Sequence, residues 1–243
     1  MNPSSPLYIH CLESLRLSPF FAGLNHEVQQ DIIGLFHYDK IQKKDTSIIL
    51  DGADQRFYLV VSGRAKVSVY HPDTGREHIL SVLSSGDGFD IISLLDGAPH
   101  DVIATALDDM EVLTAPLSLI REWIISHPDF NRTFLPFLGS QMRQLTEQVE
   151  DLSLYDTEAR MARLILRHLT SNSPVHGINL INDLSQEALA SMIGSVRVVM
   201  SKHIQIWKKQ DILSGKRGHW SVNNIEKLLE KAERQFGIPP DKF

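Results

Sequence analysis

The chain has 243 residues, 42% of them apolar and 22% charged, with one cysteine and a formal net charge of −6 at pH 7. This composition supports one large or two smaller hydrophobic cores, and a single thiol excludes a disulfide framework or a zinc site built from several cysteines of one subunit. The acidic total argues against a polyanion partner, yet residues 1–156 carry 11 Lys and Arg against 22 Asp and Glu, whereas residues 157–243 carry 13 against 8, so the two halves have different electrostatic roles.

No apolar run reaches the roughly 18 residues of a bilayer span, and the first ten residues lack a basic flank followed by an apolar core. The expectation is a protein that is neither exported nor membrane-spanning and that works in the reducing cytoplasm. From Pro6 to Phe36 the apolar residues Leu12, Leu15, Phe20, Phe21, Leu24, Val28, Ile32 and Leu35 recur at helical spacing and predict short helices. From Ile41 to Leu117 the pattern turns to short β-rich runs: Ser47–Leu50, Phe57–Val61, Ala65–Tyr70, His78–Val82, Val102–Ala106 and Glu111–Thr114. Glycines and a Pro72-Asp73-Thr74-Gly75 turn punctuate them, as a small antiparallel barrel or sandwich requires.

Leu117–Ser126 predicts a helix that His127-Pro128 interrupts, with a new helix from Asp129. In it Leu135, Leu138, Met142, Leu145, Val149 and Leu152 follow the 3-4 alternation of a heptad seam, which predicts a parallel two-stranded dimer contact. Tyr155-Asp156-Thr157 reads as a hinge, with Asp156 capping the helix that starts at Thr157.

The segment from Leu184 to Trp207 divides into two helices around Gly194, with Ser185 and Ser195 as N-caps. Ala188, Leu189, Met192 and Ile193 form the buried side of the first helix; Val199, His203, Ile206 and Trp207 share one side of the second. Arg197, Ser201, Lys202 and Gln205 project from the rest, an arrangement suited to the major groove of DNA. Arg197 has the planar fork for the O6 and N7 acceptors of guanine. Ile212-Leu213 and Trp220-Ser221-Val222 bracket a hairpin tip with Lys216 and Arg217, read as a wing; Lys208 and Lys209 add phosphate-binding charge. Asn224 starts a last helix, Ile225 to Phe236.

Taken together, these residues resemble the CRP/FNR family of bacterial transcription regulators over nearly the whole chain. Gly52 and Tyr58-Leu59-Val60-Val61-Ser62-Gly63-Arg64-Ala65-Lys66-Val67 look like the family's glycine-framed barrel signature, Ser85-Gly86-Asp87 follows it, and Leu184–Leu213 looks like its recognition motif. The resemblance implies an α+β fold: a jelly-roll β-barrel, cyclic-nucleotide-binding-like sensor domain over residues 1–128, a dimerisation helix over 129–155 and a winged helix-turn-helix DNA-binding domain over 156–243. It implies DNA contacts at Gln186, Ser195, Arg197, Val198, Ser201, Lys202, Lys216 and Arg217, with Val198 standing where a cytosine-reading glutamate is frequent.

The departures concern the effector. Cyclic-AMP-binding relatives present Gly-Glu and then Arg-Ser-Ala, the arginine neutralising the phosphate. The equivalent positions carry Asp90, His100 and Asp101, and Leu145 and Thr146 stand where two hydroxyls hold the adenine, so ordinary cyclic AMP is not expected. Cys11 alone cannot hold an iron–sulfur cluster. The effector and any cofactor stay unknown, with a haem-dependent gas sensor using His78 or His100 as an alternative. A cupin-like metal enzyme is disfavoured, since His71 and His78 form no His-x-His pair; a cyclic-nucleotide-type scaffold that does not bind DNA would leave the basic wing unexplained. The expected partners are double-stranded DNA, a second copy of the chain, an unknown small molecule and, for an activator, RNA polymerase through the Ser173–Asn182 loop.

Overall fold

The computed structural model describes residues 5–46, 55–169, 176–216 and 219–233. The chain divides into two compact units, Met1–Arg76 with Leu80–Met142 and Arg143–Phe243 with Glu77–Ile79.

The front unit opens with helices α1 (Pro6–Leu17) and α2 (His26–Gly34). Ser5 caps α1 by accepting from the Tyr8 amide at 3.1 Å, Pro6 occupies a first-turn position that needs no amide, and Asn25 caps α2 at 2.9 Å. There follow β1 (His37–Ile41), β2 (Arg56–Ser62), β3 (Ala65–Tyr70), β4 (Glu77–Leu83), β5 (Gly88–Phe89), α3 (Ile91–Asp96), β6 (Ile103–Ala106), β7 (Met110–Pro116) and α4 (Leu117–Ser126). The strands form two sheets, ordered β1-β7-β2-β5 and β4-β3-β6. The predicted strand Ser47–Leu50 lies outside the described residues.

Two predictions need correction here. β1 begins four residues before the strand signal at Ile41, because His37-Tyr38-Asp39-Lys40 has no apolar alternation and is held by antiparallel pairing with β7, His37 opposite Thr114 and Ile41 opposite Met110. α3 falls where no element was predicted; its six residues are too few for periodicity to declare.

The first sheet is buried on both faces. Val60 and Val112 turn toward Ala65, Val67, Ala104 and Ala106 of the second sheet, while Leu59, Val61 and Leu113 turn toward the helices. Strand alternation sends neighbouring residues to opposite faces, so β2 carries the nearly continuous apolar run Leu59-Val60-Val61.

After one 3₁₀ turn, Pro128–Phe130, the chain enters the long helix α5 (Asn131–Leu154), two residues later than predicted. Its N-terminal part is fastened by aromatic packing: Phe130 and Phe134 stack at 4.8 Å, Phe20 and Phe137 lie 5.0 Å apart, and Leu138 is half-buried against the same core. Further along, Met142, Leu145, Val149 and Leu152 remain 68%, 56%, 63% and 45% exposed.

The rear unit contains α6 (Thr157–Arg167), β8 (His176–Gly177), α7 (Gln186–Met192), α8 (Arg197–Lys209), β9 (Leu213–Lys216), β10 (His219–Val222) and α9 (Ile225–Ala232), with a sheet ordered β8-β10-β9. Trp207, Ile212 and Val222 are wholly buried at its centre.

Two glycines with left-handed backbone provide a test of the front sheet. At Gly63 (φ +81°) an added Cβ would lie 2.5 Å from the Asp109 carbonyl oxygen, whereas at Gly75 (φ +64°) it would meet nothing within 4 Å. Gly75→Ala should cost about 1–2 kcal/mol, the left-handed strain alone, and Gly63→Ala clearly more. Thermal unfolding midpoints that fall equally for both variants would contradict this reading.

Candidate nucleic-acid interface and sensor pocket

The interface is built on α7 and α8. Ser185 accepts from the Ala188 amide at 3.1 Å and starts α7; Gly194, at φ +63°, turns the chain after it. The second cap differs from the prediction: Val196 is the extended residue before α8 and supplies no side-chain bond, while the Ser195 amide donates to the Ala190 carbonyl at 2.8 Å. The buried sides also differ from expectation. In α8 they are Met200, Ile204 and the expected Trp207, with Val199, His203 and Ile206 half-buried at the margins; around α7 Leu189 and Ile193 are buried as expected, Ala190 joins them, and Ala188 and Met192 are only partly buried. Each stripe is turned by about one residue, an error that spacing alone cannot prevent when both margins are apolar.

This roll brings Arg197, Val198, Ser201, Lys202 and Gln205 within ~140° of the α8 circumference at 3.6 residues per turn. Arg197, Lys202 and Gln205 are exposed, Ser201 is half-buried, and Val198 is 78% exposed. Gln186 is half-buried at the start of α7. In the wing, β9 pairs with β10 from Leu213–Val222 to Lys216–His219. The side chain of Lys216 and the whole of Arg217 lie outside the described residues. Lys208 donates to the Gly215 carbonyl at 2.6 Å and joins the end of α8 to the wing.

A polar knot missed in the sequence holds α8. The Trp207 indole N–H donates to Glu158 Oε1 at 2.8 Å, and Lys231 Nζ lies 3.0 Å from the same oxygen. Glu158 is 9% exposed. Burial pushes its carboxyl upward, but the hydrogen bonds from Trp207 and Lys231 and the lysine charge outweigh it and hold Glu158 below the ordinary glutamate value. The available signal was an acid at the head of the Glu158, Met161, Ala162, Ile165 apolar stripe of α6.

In the front unit Asp90 stands before α3 with left-handed backbone, φ +68°, and its Oδ1 is buried without a hydrogen-bond partner among the described residues. His100 Nδ1 is likewise buried and unpartnered, and Asp101 is exposed. The guanidinium of Arg121 on α4 is occupied with the Ser93 and Leu94 carbonyls at the end of α3. Leu145 and Thr146 lie exposed on α5. No group of three or more His, Cys, Asp or Glu able to hold a metal ion occurs among the described residues.

Two family models match this arrangement: the cyclic nucleotide-binding domain over residues 41–127 and the Crp-like helix-turn-helix domain over residues 159–231. The chain belongs to the CRP/FNR family of transcription regulators. A CRP-like cAMP-activated global transcriptional regulator of Mycobacterium tuberculosis is 27% identical over 73% of this chain and 80% of its own length. The global nitrogen regulator of Synechocystis is 25% identical over 88% and 95%. Among solved structures, a CooA mutant from Carboxydothermus hydrogenoformans shares the fold with a TM-score of 0.71 at 21% identity, covering 84% of this chain and 90% of that one. As a CRP/FNR regulator the protein combines a cyclic-nucleotide-binding-type domain with a DNA-binding helix-turn-helix. No helix among the described residues is long and apolar enough to cross a membrane.

The Glu158 knot makes stability pH-dependent with a definite sign. A carboxyl whose folded pKa is depressed contributes stability above its unfolded value, and that contribution is lost as pH falls through the folded value. The rear unit should therefore weaken on acidification below the ordinary glutamate value of 4.5. Glu158→Gln should flatten that part of the profile and lower stability at neutral pH, as denaturant titration at several pH values will register.

Proposed function

We propose that the protein is a dimeric, sequence-specific DNA-binding transcription regulator. In this reading an effector at the front domain, neither ordinary cyclic AMP nor an iron–sulfur cluster, controls the presentation of two α8 helices to successive major grooves. Residues 1–128 form the sensor, 129–155 the dimerisation helix and 156–243 the winged DNA-binding domain. The observation that carries the reading is the exposed Arg197, Val198, Lys202 and Gln205 face of α8, backed by an opposite face buried through Met200, Ile204 and Trp207. Arg197 reads guanine, Val198 offers an apolar contact to a thymine methyl, and Ser195, Ser201 and Gln186 supply short polar contacts. Lys202, Lys209, Lys216 and Arg217 provide the salt-dependent phosphate attraction.

Dimerisation is supported by the stripe of Leu135, Met142, Leu145, Val149 and Leu152, all at least 45% exposed in the single chain. The effector class follows from charge: Asp90 and Asp101 repel a phosphate, and Arg121 is already occupied. The sensor position suits a ligand that brings hydrogen-bond donors to Asp90. Because its partners are DNA and a small molecule, the protein acts as a regulator and not as an enzyme, and it works where the chromosome is, in the cytoplasm.

Selection from random duplex DNA followed by affinity measurement tests the assignment. Arg197→Glu should lower affinity for the selected site by at least about tenfold, the loss expected from ~1.4 kcal/mol or more at a guanine contact, without altering thermal stability. Lys209→Gln should weaken all sequences alike and reduce the steepness of the salt dependence. Leu145→Glu with Val149→Glu should yield monomers by light scattering. Cyclic AMP should leave operator affinity unchanged, and a marked enhancement would refute the proposed effector class.

A further inference from the structure

We propose that Asp151 is a positioning residue for DNA recognition: it clamps the bend between α5 and α6 and thereby sets the direction in which the reading helix leaves the dimer rod. The proposal rests on the dimeric DNA-binding reading above.

Asp151 lies in the last turn of α5 and is only 4% exposed. Its Oδ1 accepts from Arg163 Nε, and its Oδ2 is 2.6 Å from Arg167 Nη1. Residues 163 and 167 are four apart on one face of α6, so a single carboxylate grips two positions along that helix. The Arg163 guanidinium also lies 4.3 Å over the ring of Tyr155, which occupies the bend itself. The same cation therefore binds the helix before the bend and covers the bend residue. Asp156 completes the joint by capping α6 through the Ala159 amide at 2.9 Å.

A separate contact links this joint to the reading helix. At Gly194, the turn between α7 and α8, an added Cβ would be 3.0 Å from Leu152 Cδ2 and 3.4 Å from Arg160 Nη1. The helix-turn-helix corner is thus seated on the same last turn of α5 that holds Asp151, and a change of angle at the bend would displace the corner. A buried ion pair contributes little net stability compared with apolar packing of equal volume. What one acid and two arginines supply here is a defined angle. Without Asp151 the arginines, with side chains 26% and 33% exposed, can turn to solvent while the cores on either side remain packed.

The test uses the full-length protein and three duplexes: a selected site with two half-sites, the same site with its spacer changed by two base pairs, and one half-site alone. A dimer with a fixed joint should prefer the native spacing by about tenfold or more, because half-sites must present themselves at matching turns of the duplex. Asp151→Asn should reduce that preference to within about twofold and leave affinity for the single half-site unchanged within about twofold. Asp151→Glu should recover part of the preference. Arg163→Gln, which removes both the ion pair and the ring contact, should behave like Asp151→Asn and provides the test should that variant fail to fold. Retention of the spacing preference in both variants would overturn the proposal, as would an equal loss on the single half-site, which marks general destabilisation. A wild-type protein indifferent to spacing would overturn the dimeric reading itself.

Discussion

Leu145, Val149 and Leu152 stand at successive turns of α5, each close to or above half exposure. Water around a continuous apolar stripe is unfavourable in proportion to its area, and stripes of this kind on soluble proteins mark contact surfaces. The N-terminal part of α5 is under the opposite constraint. Phe134, Phe137 and Leu138 are drawn into the front core, where Phe20, Phe21 and Phe130 already pack together. One helix thus carries an anchoring segment and a segment whose apolar face its own chain leaves uncovered. In the dimeric reading, the rest of the architecture follows from satisfying both along a single axis.

The front unit solves a different problem. Its first sheet must bury two faces, so β2 and β7 are apolar almost throughout, and the loops between strands are left to carry chemistry. At one of these positions Asp90 adopts a conformation uncommon for a residue with a side chain, and Oδ1 is shielded without a hydrogen-bond partner among the described residues. Strain and an unsatisfied acceptor in one residue together cost several kilocalories unless something compensates them, and such features concentrate at ligand sites. In the proposed reading, a domain of the cyclic-nucleotide-binding type keeps its frame while the carboxyls of its cassette oppose a phosphate.

The sequence reveals most where local chemistry decides the structure. Ser185, Asp156 and Asn224 cap helices as their side chains predict, Gly194 turns the chain through a positive φ, and β2 and β3 stand where the β-rich runs from Phe57 to Tyr70 place them. What could not be read depends on distant partners. β1 exists through its pairing with β7, some seventy residues away, and the Glu158 knot requires α6, α8 and α9 to meet. The bond from Lys208 to the Gly215 carbonyl likewise needs the wing folded back beside α8. Ser195 looked like a cap because a serine after glycine commonly is one; here Val196 intervenes, and the helix begins one residue later than that cap requires.

The exposed valines at the start of α8 bear on how such a helix discriminates among sequences. Val196 and Val198 are 51% and 78% exposed, and neither contributes to the rear core. A branched apolar side chain held in water beside Arg197 gains from a thymine methyl and gains nothing from the exocyclic amine of cytosine. A glutamate at the same position would accept from that amine but would face the phosphate field with like charge. Replacing the acid by valine therefore does two things at once. In the DNA-binding reading it would remove a repulsion, and it would move the preference at one base pair from hydrogen bonding to apolar contact. In that reading, discrimination would fall more heavily on Arg197 and on the angle at which α8 is held. The first is a matter of one planar guanidinium; the second would depend on the Asp151 joint, while Trp207, Glu158 and Lys231 hold the roll of the helix from beneath.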